Sequence, residues 1–196
     1  MRQRKSMKSK FLLLLIFLPL VSFSQAKDSK KNAQDESDLA RVAILNFKNN
    51  TGDKNLVWIT TNLPENIYES MQKRFEFIRT NPKKAQAIAD KINPGNRKFR
   101  KHEILQIAKK SKSDIVIYGD FFLNKKTNQL EFTAHVFHVE EQKDIGVAKE
   151  SSPIDNTIFD KIDKISQKII DDIYQYALRV QERETAEAKK KKVRIM

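Results

Sequence analysis

The chain of 196 residues contains no cysteine. This excludes a disulfide framework, a thiolate metal site, a thiol nucleophile and a lipid anchor on a cysteine after a signal cut. Only four glycines occur, whereas a phosphate-cradling loop needs a cluster of them. Gly52 and Gly119 stand alone: Gly52 is expected to supply a positive φ in a turn, and Gly119 close packing or a bend within a strand. Histidine is scarce as well. His135 and His138 are three apart on an expected strand and so face opposite sides, while His102 lies far off near a helix start. No metal site and no cofactor are expected. There is no G-x-S-x-G turn, and Glu140-Glu141 read as a solvated turn rather than an acid–base pair. Long apolar runs are also missing. The longest, Phe11 to Val21, is about 11 residues and broken by Pro19, against the roughly 20 needed to span a bilayer.

That short run sits where an export signal has its core. Arg2, Arg4, Lys5, Lys8 and Lys10 precede it without an acid, and small polar residues follow it. The pattern predicts a signal peptide over 1–26. Ser22 and Ser24 fit a cut before Gln25; Ser24 and Ala26 fit one before Lys27. The alternative is an uncut anchor. A flexible lead-in is expected over 27–40.

The formal net charge is +13, but ten of these charges sit in the signal and in Lys189, Lys190, Lys191, Lys192 and Arg194, which leaves about +3 for everything between. That value is ordinary for a soluble domain, and no nucleic-acid-binding signature accompanies it. The basic tail over 181–196 is expected to be a solvated end, with weak attraction to an anionic membrane surface as its functional reading.

Hydrophobic periodicity predicts one mixed α/β domain over 41–180, in the order β-α-β-α-α-β-β-β-α, with one mixed sheet covered by helices. Arg41 to Phe47 reads as a buried strand and Lys48 to Asn55 as a loop. A helix with Thr61 or Asn62 as cap and Pro64 in its first turn presents Leu63, Ile67, Met71 and Phe75. Phe75–Arg79 reads as a second strand, followed by helices over 84–92 and 102–110. Strands follow over 114–123, 130–136 and 145–149. A long terminal helix carries Ile158, Ile162, Ile165, Ile169, Ile173 and Tyr176 on one stripe, which is lost past Val180.

The loop after the first strand is the best candidate site, because ligands of open α/β sheets gather at the carboxyl ends of strands. Asn49, Asn50, Thr51, Lys54 and Asn55 would meet a partner there, with Trp58 as an aromatic anchor. The competing reading makes the loop a connector and Trp58 core.

Three stretches together resemble the TolB amino-terminal-domain-like family, whose relatives include FlgO and the CsgG-type periplasmic domains. They are Val42-Ala43-Ile44-Leu45-Asn46-Phe47-Lys48-Asn49-Asn50-Thr51-Gly52, Leu63-Pro64-Glu65-Asn66-Ile67 and Ser113-Asp114-Ile115-Val116-Ile117-Tyr118-Gly119-Asp120-Phe121. Asn46 departs from the pattern, standing where many members carry proline. With no propeller segment following, the chain is not expected to be TolB itself; nor is a pore expected. The resemblance implies a periplasmic or envelope protein that works by contact with envelope proteins and supplies no catalytic residue. A non-enzymatic interaction module is therefore expected. Its rivals are a secreted enzyme, with a cleft where His102, His135 or His138 meets Asp114, Asp120 or Glu131, and a peripheral surface binder using the tail.

Overall fold

The computed structural model describes residues 39–95 and 97–193, with side chains through Glu187. The signal segment, Ser24, Gln25, the lead-in through residue 38 and Arg194 lie outside the described residues, as do the side chains of Lys189 to Lys192. The elements are β1 (Arg41–Ile44), β2 (Lys48–Asn49), α1 (Ile59–Gln72), β3 (Ile78–Arg79), α2 (Pro82–Ile92), α3 (Lys101–Ser111), β4 (Ile115–Asn124), β5 (Gln129–His138), β6 (Lys143–Ser152) and α4 (Thr157–Val193). The expected mixed α/β order is found, with the two-residue β2 as an addition. The sheet runs β3-β1-β4-β5-β6, and β2 also pairs with β4. Pairing is parallel among β3, β1, β4 and β2, and antiparallel along β4-β5-β6.

β1 and β2 are two pieces of one path along β4. Leu45 N–H still donates to the Ile117 carbonyl at 2.9 Å, and Lys48 and Asn49 resume pairing opposite Asp120 and Phe121. Between them the chain steps off the sheet. Asn46 N–H, a donor that proline lacks, goes to Gln86 Oε1 at 2.9 Å, and Phe47 N–H goes to the Thr60 carbonyl of α1 at 3.0 Å. Phe47 lies over Gly119, where an added Cβ would come within 2.2 Å of Phe47 Cε1 and 2.3 Å of the Thr133 carbonyl oxygen. Gly119 is therefore a close-packing position.

The helix start differs from expectation. α1 begins at Ile59, and neither Thr61 nor Asn62 caps it. Pro64 is buried inside the helix rather than in its first turn. Its missing N–H would orphan the Thr60 carbonyl, and Phe47 N–H takes that carbonyl instead. The strand expected over Phe75–Arg79 shortens to Ile78–Arg79, because Phe75 N–H donates to the Met71 carbonyl at 2.8 Å and stays with the helix end.

α1 and α4 cover one face of the sheet. Ile158, Ile162, Ile165, Ile169, Ile173 and Tyr176 are all buried there, with Leu63, Ile67 and Met71 from α1 and Ile117, Phe121, Phe132 and Val136 from the sheet. α2 and α3 cover part of the other face through a smaller cluster, including Ala85, Ala89, Ile104 and Ile107 against Leu45, Val116 and Phe137. The outer edge of β6 is closed by α4. Val147 N–H donates to the Asp172 carboxylate, and Lys168 Nζ donates to the Lys149 carbonyl at 3.1 Å. Gly146 permits this approach, since a Cβ there would lie 2.5 Å from Asp172 Cβ. A long sheet edge left unpaired invites aggregation, and these contacts block it.

Candidate functional site

The loop after β2 is braced by its own side chains. Asn49 Oδ1 accepts from Thr51 N–H at 3.0 Å and from Thr51 Oγ1 at 2.6 Å, while Asn49 Nδ2 donates to the Asp53 carbonyl at 2.9 Å. Thr51 Oγ1 accepts from Asp53 N–H at 2.9 Å, and Asp53 Oδ1 accepts from Asn55 N–H at 2.8 Å. Gly52 holds the turn at φ +79°, the positive value expected of it. Asn50 Nδ2 ties the loop to β4 through Asp120 Oδ2 at 3.0 Å. Asn and Thr side chains that mimic backbone turns make such a loop rigid at little cost.

The six candidate residues of the sequence reading divide. Asn49 and Lys54 line a cavity of about 340 Å³ with Gln86, Asp90 and Gly95. Asn50 and Thr51 brace the loop, and Asn55 is exposed beside it. Trp58 belongs elsewhere: it is half-buried and stacks on Phe159 of α4, with ring centroids 5.3 Å apart.

A second cavity of about 320 Å³ adjoins the first through Lys48. It lies over the sheet face that α2 and α3 leave open, lined by Lys98, Phe99, Tyr118, Asp120, His135 and Lys149 among others. Lys48 separates the two. Its Nζ donates to the Gly95 carbonyl at 2.6 Å and to Asn93 Oδ1 at 3.1 Å, and lies 4.3 Å from the centre of the Phe99 ring. Burial and, after it, the nearby Arg97 charge lower the Lys48 pKa from its ordinary value. Asn93, almost wholly buried, passes the connection to Glu103 Oε2 at 3.2 Å. Glu103 is 4% exposed, accepts from Arg100 N–H at 2.8 Å and forms a two-armed ion pair with Arg97. That pairing holds its carboxyl at about 2, well below the usual carboxylate value. Lys48, Asn93, Arg97 and Glu103 thus fasten the segment after α2 to β2. Asn93-Pro94-Gly95 has the composition of a helix stop, and nothing in its local pattern points to this strap.

His135 stacks on Tyr118, with centroids 4.9 Å apart and planes within 8°, and its Nδ1 lies 2.9 Å from Asp144 Oδ2. A β-bulge produces this pair. Val136 sits opposite Gly146 but Phe137 opposite Asp144, so Ile145 is an extra residue in β6. Strict alternation would have turned Asp144 to the α4 face; the bulge turns it to His135 and Tyr118. The enzyme reading looked for a histidine beside Asp114, Asp120 or Glu131. His135 and Asp120 do line one cavity, yet Asp120 is engaged by Asn50 and by Lys98 at 3.5 Å, and the carboxylate on His135 is Asp144. His138 lies on the opposite face against Tyr176, 5.2 Å between centroids, and burial lowers its pKa from the ordinary value. His102 is exposed in the first turn of α3. Among the described residues no three His, Asp or Glu side chains gather as metal donors, and no helix is long and apolar enough to cross a membrane.

No family model matches the chain, and no curated protein matches it in sequence. Solved structures resemble it at low identity. LpoB from Escherichia coli is 11% identical, with a TM-score of 0.44 over 71% of this chain and 84% of that one. The LpoB C-terminal domain from Salmonella enterica is 12% identical, with a TM-score of 0.42 over 58% and 82%. TolB from Acinetobacter baumannii is 15% identical, with a TM-score of 0.42 over 71% of this chain and 28% of that chain.

Proposed function

We propose that this chain is an exported, non-enzymatic protein-interaction module of the cell envelope, of the TolB amino-terminal-like kind, and that it meets its partner at the groove beside the β2–α1 loop. The export-signal pattern at the start of the sequence supports the location. The braced loop carries the rest. Asn49, Thr51 and Asp53 spend their side chains on fixing the backbone, and Lys54 and Asn55 are displayed from it. Preorganised polar surface of this kind binds without a large ordering cost. The adjoining cavity over the open sheet face offers Lys48, Lys98, Lys149, Phe99 and Tyr118 against one carboxylate, Asp120, a mixture suited to an acidic protein segment.

Site-specific photocrosslinking in intact exporting cells tests this reading. Probes replacing Lys54 or Asn55 should capture one envelope protein, whereas a probe at Lys125, in the turn between β4 and β5, should not. The mature amino terminus, read by mass spectrometry, should be Gln25 or Lys27. A cytoplasmic protein with an intact start, or equal capture from Lys125, refutes the proposal.

A further inference from the structure

The bulged start of β6 and the outer part of α4 enclose a cavity of about 210 Å³, lined by Lys143, Asp144, Ile145, Tyr176, Arg179, Val180 and Arg183. It shares no residue with the two cavities beside the loop. Arg179 and Arg183 are one helical turn apart, which places their Cβ atoms about 6 Å from each other. Three cations from two elements therefore border one cleft.

The carboxylates in and beside the cleft, Asp144 of the lining and Glu141 next to it, already have partners. Asp144 is held by His135 at 2.9 Å and faces Tyr118. Glu141 takes Lys143 Nζ at 2.8 Å and the Tyr176 hydroxyl; burial and, after it, that bond raise the tyrosine pKa. Arg74, Arg79 and Arg97 are each paired with a carboxylate. Arg179 and Arg183 have no ion pair or hydrogen bond from their guanidinium groups among the described residues. Two guanidinium forks beside a cavity, Arg179 feeling the Asp172 carboxylate only through space, match the geometry of a phosphate, which each can grip with two parallel bonds. Ile145 and Val180, both half-buried, give the cleft an apolar wall for whatever carries the phosphate.

We infer that this cleft binds an organic phosphate ester through Arg179 and Arg183, with Lys143, which Glu141 already holds, only bordering the site. The ester can be a soluble metabolite or a phospholipid headgroup; the chemistry recognised is the same. The inference does not depend on the groove beside the loop.

The test measures binding of the purified protein at fixed ionic strength to two probes, glycerol phosphate by NMR titration and phosphatidylglycerol-containing vesicles by co-sedimentation. R179Q/R183Q should weaken binding about tenfold or more, and K125Q/K126Q, which removes as much charge from a distant exposed turn, should leave it within about twofold. All these side chains are exposed, so both variants should melt like the parent. Binding of glycerol phosphate identifies a soluble-ester site, and binding of vesicles alone a headgroup site; either supports the inference if R179Q/R183Q removes it. Binding of neither probe, or equal losses in the two variants, overturns it.

Discussion

Glu103 shows how one buried charge can organise a surface. It is 4% exposed, and its carboxylate receives Arg97, the Arg100 amide and the Asn93 side-chain amide. Such a group is tolerated inside only because every oxygen has a partner. Its carboxyl titrates at about 2 in the fold, against 4.5 ordinarily. A depressed folded value means that the unfolded chain takes up the proton first. The stabilisation is therefore complete above about pH 4.5 and drains away as pH falls through about 2. E103Q should lower stability at neutral pH by about 1–3 kcal/mol, since it puts an amide N–H₂ inside, among the donors of Asn93 and Arg100 that the carboxylate now receives. The gap between parent and variant should narrow as the solution is acidified below pH 4.5. Urea unfolding of both proteins at several pH values checks this; a gap that stays constant with pH would show that the charge is not what Glu103 contributes.

At the level of elements, what the sequence disclosed and what it hid follow from the range of the forces involved. The stripe from Ile158 to Tyr176 and the alternation of Leu130, Phe132, Ala134 and Val136 are written in side-chain polarity, and both lie buried as read. The start of α1 was misplaced because Pro64 normally belongs in a first turn, and only a distant donor, Phe47 N–H, makes it acceptable farther in. β2 was hidden for the same reason: Lys48 and Asn49 look like loop residues and pair because β4 is there to receive them. Of the loop residues, Asn49 and Lys54 line a cavity. Lys48, Phe99, Tyr118 and Asp144 complete the surroundings, however, and their convergence depends on crossover connections and a bulge that local pattern does not encode. α4 itself divides into two parts. Ile165 is wholly buried, whereas most side chains described beyond Val180 are exposed. Ile165→Ala should cost about 2–5 kcal/mol. Ending the chain after Gln181 should cost less than about 1 kcal/mol. Thermal or chemical unfolding separates the two, and a truncation as damaging as the core substitution would mean that the outer turns of α4 hold the fold.

The sheet has two unequal sides, and that inequality shapes how the whole molecule should move. The α1/α4 face is filled by large side chains, among them Phe47, Phe121, Phe132 and Ile169. On the α2/α3 face nine residues are buried together, and four of them are alanines: Ala43, Ala85, Ala89 and Ala108. Burial stabilises roughly in proportion to apolar area, so the second layer is held by much less. The polar strap of Lys48, Asn93, Arg97 and Glu103 offsets part of that deficit, and it does so beside the two cavities. Local opening should therefore begin with α2, α3 and the segment joining them, while the β4–β5 ladder and the inner turns of α4 open only with global unfolding. Native-state hydrogen exchange should place amides of Ala89 and Ile107 at a lower opening free energy than those of Ile117, Ala134 and Ile169. K48M, which cuts the strap from the strand side, should lower the first group further and leave the second nearly unchanged. Equal opening energies in both groups would mean that the two layers unfold as one unit and that the strap does not tune the stability of the groove.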